Sequence, residues 1–158
     1  MGSERSGLAD DTKADANLTR MSGSAPRFDQ PLIEEEGEHF WEALKGDSLV
    51  IKKCNSCGEF HYYPRPFCPK CWSEDVEWHE VCGRGTVYTY STVYINDLPP
   101  FGQQVPYVAA IVELEEGPRM MTRLIECTND DITLGMAVEV GYQDLDGELK
   151  MAVFRPAA

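Results

Sequence analysis

The sequence has no run of about 18 apolar residues, the length a helix needs to cross a bilayer. Its first thirty residues hold no apolar stretch of the kind that drives secretion, so no export signal is expected and the expected compartment is the cytoplasm. Positive charge is scarce: 14 Lys and Arg face 27 Asp and Glu, for a net charge of −13. A surface that acidic repels a phosphate backbone, which weighs against a nucleic-acid partner. The short catalytic signatures are missing too. There is no Gly-Lys-Ser or Gly-Lys-Thr, no Gly-x-Ser-x-Gly and no His-Glu-x-x-His. A P-loop, a hydrolase elbow and a helical metalloprotease site are thereby excluded. Gly83-Arg84-Gly85 opens like a dinucleotide fingerprint, but Tyr88 stands where the third glycine belongs and a strand pattern follows. The two glycines are expected to form a bulge that bends that strand.

What is present is cysteine in an uneven distribution. Cys54-Asn55-Ser56-Cys57-Gly58 and Cys68-Pro69-Lys70-Cys71 place four of the six cysteines in two Cys-x-x-Cys pairs, ten residues apart. A two-residue gap lets a tight turn aim two sulfurs at one point, and Gly58 supplies the positive φ often needed after the second sulfur. Two such knuckles build a tetrahedral four-thiolate site. With all four positions filled by protein, no place is left for substrate, so the metal is expected to be structural Zn2+, with Cys54, Cys57, Cys68 and Cys71 as ligands. Iron accepts the same thiolates and is the alternative. No organic cofactor is expected. Cys82 and Cys127 are expected to be buried, inert thiols. His39, His61 and His79 have no partners at a recognisable catalytic spacing.

The chain divides by composition. Residues 1–30 are rich in Ser, Gly, Ala and Asp and are expected to be a disordered tail. Residues 31–48 hold a helix over about 34–45, with Glu34, Glu35, Glu36 and Glu38 in its first turns, Phe40, Trp41 and Leu44 on one face, and Gly46 past its end. Packing on its own domain is the first reading of that helix; docking a partner is the other. Residues 49–80 are the cysteine module, entered by a short strand at Leu49-Val50-Ile51. Residues 81–158 read as β: strands at Thr86 to Tyr94, Tyr107 to Leu114, Arg119 to Glu126, Met136 to Tyr142 and Leu149 to Phe154. A turn is expected at 115–118, a loop or helical turn at 129–131, and a turn closed by Gly147 before the last strand. Five strands in this space fit a closed OB-fold barrel, with an SH3-like barrel as the alternative. The fold class is therefore mainly β: an N-terminal helix, a four-cysteine zinc ribbon and a five-stranded OB-fold barrel. By period-two counting Tyr88, Tyr90 and Tyr94 share a side opposite Val87 and Val93. They form an external aromatic stripe if the valines face inward, and core if the register is reversed.

The order of these pieces is specific. Phe40-Trp41, Cys54-x-x-Cys57-Gly58, Pro64-Arg65-x-x-Cys68-Pro69-x-Cys71, Trp78, Gly83-Arg84-Gly85-Thr86-Val87-Tyr88-Thr89-Tyr90 and Pro106-Tyr107-Val108 follow one another along the chain. Over residues 36–155 this resembles a family first catalogued as a domain of unknown function, in which a rubredoxin-like zinc ribbon precedes an OB-fold. Trp72 departs from the pattern, standing where a small residue often follows the last ligand.

That resemblance implies a partner in place of a chemistry of its own. Members of the family are similar to non-catalytic subunits that dock thiolase-like enzymes in hetero-oligomers and help form their acyl-CoA sites. One setting is a thiolase-like aldolase that cleaves a steroid side chain as its CoA thioester by a retro-aldol step, the accessory domain being joined there to a hydratase chain. On this reading Arg65, Lys70 and Arg84 are the candidate CoA contacts, being among the few cations. Leu98, Phe101, Tyr88 and Tyr90 are the candidate docking residues, the first two on an apolar loop over 96–106. The alternative function is a nucleic-acid-binding ribbon and OB-fold module. No membrane association is expected.

Overall fold

The computed structural model describes residues 29–145 and 148–157. Residues 1–28 of the tail expected over 1–30, and the turn residues Asp146 and Gly147, lie outside the described residues.

A 3-10 turn over Glu35–Gly37 leads into helix α1, Glu38–Lys45. Phe40 and Leu44, one helical turn apart, are its buried residues. Gly46 ends the helix, its N–H reaching the carbonyls of Ala43 and Leu44. Three strands then form a small antiparallel sheet. They are β1 (Val50–Cys54), β2 (Phe60–His61) and β3 (Val76–Glu80), in the order β2-β1-β3. β1 begins as the sequence suggests. β2 and β3 are not expected from it: two residues are too few to show a period, and Val76 and Trp78 alternate in a segment dominated by the knuckles.

The barrel is built from β4 (Arg84–Val93), β5 (Tyr107–Leu114), β6 (Arg119–Leu124), β7 (Ala137–Asp144) and β8 (Lys150–Pro156), in the order β4-β5-β6-β8-β7. All five expected strands are present, within a few residues of their expected ends. β4 closes the ring on β7 through Arg84↔Glu139, Gly85↔Val138 and Thr86↔Ala137. β6 and β8 meet in parallel at Leu124↔Phe154. This closed five-stranded ring is the OB-fold arrangement. β5 alternates as its sequence dictates, burying Val108, Ala110, Val112 and Leu114.

The first barrel strand departs from the simple count. A bulge falls between Val87 and Thr89, so Val87 opposes Val112 and Thr89 opposes the next residue, Ile111. The extra residue, Tyr88, points outward, and the phase beyond it is reversed. Tyr90 therefore packs against the core, and its hydroxyl donates to the carbonyl of Ile132 at 3.1 Å. Neither version of a shared tyrosine face holds, because period-two counting does not survive an inserted residue.

The expected bulge at Gly83-Arg84-Gly85 is likewise corrected. Those glycines serve close approach instead: a Cβ on Gly85 would sit 2.5 Å from the Glu113 carbonyl oxygen, and one on Gly83 would meet Val140 at 2.3 Å. Gly83 also has φ +69°.

One apolar cluster joins the three parts. Phe40 and Leu44 of α1, Leu49 and Ile51 at the entry to the ribbon, and Val87, Val112, Val138 and Phe154 of the barrel belong to the same core.

Candidate metal centre and ligand recesses

Cys54 ends β1, and its Cys-x-x-Cys turn leads back into β2. The second pair lies in the connection between β2 and β3. The two turns repeat one hydrogen-bond pattern. In the first, the N–H of Gly58 donates to the Cys54 carbonyl at 2.8 Å and that of Cys54 to the Glu59 carbonyl at 2.9 Å. In the second, Trp72 donates to Cys68 at 2.9 Å and Cys68 to Ser73 at 2.8 Å. Each turn holds its last residue at positive φ, +77° at Gly58 and +63° at Trp72. The strain is trivial for glycine and real for tryptophan. Trp72 is exposed and stacks on Phe67, with ring centroids 5.3 Å apart.

The turns face each other. Cys54 Sγ lies 3.6 Å from Cys71 Sγ and Cys57 Sγ 3.7 Å from Cys68 Sγ, and all four sulfurs lie within 4.8 Å of one another. A tetrahedral ion with bonds of about 2.3 Å needs sulfurs about 3.8 Å apart, so the set fits a four-thiolate metal. Cys54 and Cys68 are buried, Cys57 and Cys71 exposed. The four thiols do not ionise alike. At Cys68, burial opposes ionisation but is outweighed by the backbone N–H groups of Cys71 and Lys70 and by neighbouring thiols, so its pKa falls. At Cys57, the N–H group of Glu59 favours the thiolate, yet burial and the other three sulfurs raise its pKa. Four crowded thiolates need a shared counter-charge, which a divalent cation supplies.

The remaining cysteines are both less buried than expected. Cys82 is exposed, its thiol donating to Glu115 Oε2 at 3.4 Å. Partial burial and the carboxylates of Glu115 and Glu116 raise its pKa, which makes it a poor nucleophile. Cys127 is half-buried, and burial raises its pKa as well. The histidines are spoken for by packing: His39 lies against Trp78 at 4.9 Å and His79 against Phe60 at 5.2 Å. His61 is buried with no partner in good hydrogen-bond geometry on either ring nitrogen, and burial lowers its pKa.

The candidate cations separate into two kinds. Arg84 is committed to Glu115 at 2.9 Å and Lys70 to Glu59. Arg65 has no ion pair among the described residues. It lines a cavity of about 480 Å3 between α1 and the inter-knuckle loop, with Phe40, Trp41, Tyr62 and Phe67. It also lines an adjoining recess of about 370 Å3, which it shares with Lys52, His39 and Trp78. Burial pushes the Tyr62 hydroxyl up to about 12. Nothing in the sequence context of Lys52 singles it out. Only the β1–β3 pairing, which sets it opposite Trp78, brings it here. Its ammonium sits 4.3 Å from the Trp78 ring centroid.

Of the candidate docking residues, Leu98 is exposed, and Phe101 opens a 3-10 turn with its ring 6.4 Å from that of Tyr107. Tyr88 is exposed beneath the Arg119 guanidinium, 3.5 Å from the ring centroid. Tyr90, turned inward, is not on that surface. No helix among the described residues is long and apolar enough to cross a membrane.

Comparison with known proteins agrees with this geometry. Residues 41–77 match the family described as "ChsH2, rubredoxin-like zinc ribbon domain", and residues 78–143 match "ChsH2, C-terminal OB-fold domain". A "Probable enoyl-CoA hydratase alpha subunit" of Thermomonospora curvata is 39% identical over 128 residues, 81% of this chain but 40% of the relative. The chain thus spans well under half the length of that protein. A "Benzoylsuccinyl-CoA thiolase subunit BbsA" of Geobacter metallireducens is 35% identical over 72 residues, 46% of this chain and 47% of the relative. A solved structure named "Ltp2-ChsH2(DUF35) aldolase" superposes with a TM-score of 0.74 at 39% identity, covering 82% of this chain and all of that one. A "DUF35 domain-containing scaffold protein" of Methanocaldococcus jannaschii is 38% identical over 113 residues, 68% of this chain and 79% of the relative. With ribbon and barrel matched in order, the chain belongs to the DUF35 family and carries a ChsH2-type zinc ribbon followed by an OB-fold.

Proposed function

We propose that the chain is a non-catalytic accessory subunit that docks a thiolase-like enzyme and helps form its acyl-CoA site. The observation that carries this reading is the closed four-thiolate set. It is the only cluster of metal-ligand side chains found among the described residues, and it leaves no position for a substrate. The described residues also bring together no nucleophile, base and orienting group. The family membership and the names of the thiolase subunit and the aldolase structure support a partner that holds the chemistry.

On this reading Cys54, Cys57, Cys68 and Cys71 hold a structural Zn2+, which cross-links the knuckles and performs no step. Residues 31–48, 49–80 and 81–158 are the working divisions. The phosphate contact of acyl-CoA falls to Arg65, which has no ion pair among the described residues, with Lys52 across the same recess and Glu35 and Glu36 on its rim. Lys70 and Arg84 would first have to leave Glu59 and Glu115. Leu98, Phe101 and Tyr88 form the docking side. The finer reading is retro-aldol cleavage of a steroid side-chain CoA thioester: a relative from Mycobacterium tuberculosis named "3-oxo-4,17-pregnadiene-20-carboxyl-CoA hydratase alpha subunit", 30% identical over 115 residues, supports the substrate class alone, and the name of the aldolase structure supports the cleavage. The nucleic-acid reading gains nothing: Lys45, Lys70, Arg84, Arg119, Lys150 and Arg155 are all in ion pairs with carboxylates.

The test is co-expression with a thiolase-like partner, followed by assay of the partner with and without this chain on a steroid side-chain acyl-CoA. The complex is expected to co-purify and to cleave the thioester, the partner alone being slower by orders of magnitude. Arg65→Ala should raise the KM for the ester with assembly intact, and Phe101→Ala should weaken assembly by at least about tenfold. A partner that is equally active alone, and that never co-purifies, sinks the proposal.

A further inference from the structure

A groove of about 380 Å3 runs between the 96–106 loop, the outer faces of β5, β6 and β8 and the end of β7. Phe101, Tyr107, Met121 and Met151 line it, together with Arg123. Aromatic residues, methionine and arginine are the side chains enriched at the cores of protein–protein interfaces. Met121 is 72% exposed.

Two arginines on β6 make an internal comparison. Arg119 and Arg123 are four residues apart and share the outward face of the strand. Each lies on a tyrosine ring: Arg119 on Tyr88 at 3.5 Å, Arg123 on Tyr107 at 4.4 Å. Arg119 completes its environment with Glu113, 2.7 Å away. Arg123 has only the amide oxygen of Gln104, at 2.8 Å, and no carboxylate among the described residues lies within ion-pair distance of it. It is half-buried, and that burial lowers its pKa. A half-buried guanidinium 4.4 Å from a tyrosine ring centroid, with no carboxylate partner among the described residues, is suited to receive one.

Asp29 and Asp144 also line the groove. The carboxylate of Asp144 disfavours any bare anion, so the charge of Arg123 alone does not hold one. An occupant must therefore bring apolar side chains that seat its carboxylate on Arg123.

We propose that this groove receives a segment of a partner protein that presents a carboxylate side chain between two apolar ones, the carboxylate pairing with Arg123 as Glu113 pairs with Arg119. The proposal rests on the docking reading above and names the chemistry of the docked segment.

The full chain is titrated with two blocked peptides, acetyl-Leu-Glu-Leu-amide and acetyl-Leu-Gln-Leu-amide, while the methyl resonances of Met121 and Met151 and the Arg123 Nε–H are followed. The glutamate peptide is expected to shift all three with an affinity on the order of 1 mM, about tenfold tighter than the glutamine peptide. Arg123→Gln, on the outer wall of the barrel, should keep the circular dichroism of the parent and make the two peptides equal. Three results overturn the proposal. The peptides bind the parent equally or not at all; their difference persists in Arg123→Gln; or the same methyls shift with protein concentration alone, so that a second copy fills the groove. None of these needs the thiolase-like partner. Failure here with co-purification intact removes the groove and leaves the accessory reading standing. Failure of co-purification with peptide discrimination intact does the reverse.

Discussion

The ribbon and the barrel solve the same problem by different means. The ribbon has a two-residue strand, two five-residue strands and loops, too little apolar surface to offset the entropy of ordering them. Its buried centre is sulfur, with Cys54 and Cys68 at 0% exposure. The barrel has no such device. It closes a ring of hydrogen bonds around Val87, Val112, Val138, Val153 and Phe154. A metal holds the first region by a few strong bonds, and the hydrophobic effect holds the second by many weak ones. The first is therefore sensitive to chelators and acid, the second to cavities.

The largest effect that breaks this contrast is loss of the metal. Cys68→Ser should remove zinc and cost on the order of 10 kcal/mol of ribbon folding. Metal content by mass spectrometry and amide exchange on β1 and β3 report the loss, while amides of β5 and β6 should stay protected. Acidification should do the same, since the thiolates must be deprotonated to bind. If the barrel amides exchange as fast as those of the ribbon, the two regions are one cooperative unit and the contrast fails.

Next comes the cavity. Phe154→Ala should cost the barrel about 3–5 kcal/mol in urea unfolding, with zinc retained. Loss of zinc at the same urea concentration would show that the shared core, from Leu44 and Ile51 to Phe154, governs both. Gly85→Ala is smaller. Its Cβ would meet Val112 Cγ1 at 2.7 Å and the Glu113 carbonyl oxygen at 2.5 Å, and the backbone shift should cost about 1–3 kcal/mol.

The smallest effect compares the two knuckles. Trp72→Gly removes an αL penalty of about 1–2 kcal/mol and forfeits a stack on Phe67 of about 0.5–1.5 kcal/mol. The metal-loaded ribbon should gain less than about 1 kcal/mol, read by competition with a chelator. A loss larger than that would mean the stack does more than relieve the strain.

The four ligands were legible because their spacing is itself the geometry: Cys-x-x-Cys fixes a turn, and two turns fix a tetrahedron. The strands of the barrel were legible for a similar reason, β5 most clearly, where burial tracks every second residue. Period counting failed at Tyr88, since an inserted residue leaves no mark in composition yet turns Tyr90 inward. Burial of Cys82 was misjudged because thiols are usually buried, whereas this one lies beside the carboxylates of Glu115 and Glu116. The roles of Arg65, Arg84 and Lys70 could not be ranked from charge alone. Which cation is already neutralised depends on the 31-residue separation of Arg84 from Glu115, and no local pattern encodes that. Arg123 was invisible for the same reason: it acquires its neighbours only when strands pair.

The place of β8 has a consequence for the order of events during synthesis. It is the last barrel strand in the chain, yet it sits between β6 and β7, so no ring exists until residues 150–156 are available. All four sulfurs are in hand by Cys71. At the pace of a ribosome, roughly 5–20 residues per second, several seconds separate the two moments. The metal can be captured by a nascent chain whose barrel is still an open sheet, with Leu49 and Ile51 awaiting the surface that will cover them. Metal supply and translation speed, two variables of the cell absent from the finished molecule, thus bear on which chains reach the closed form.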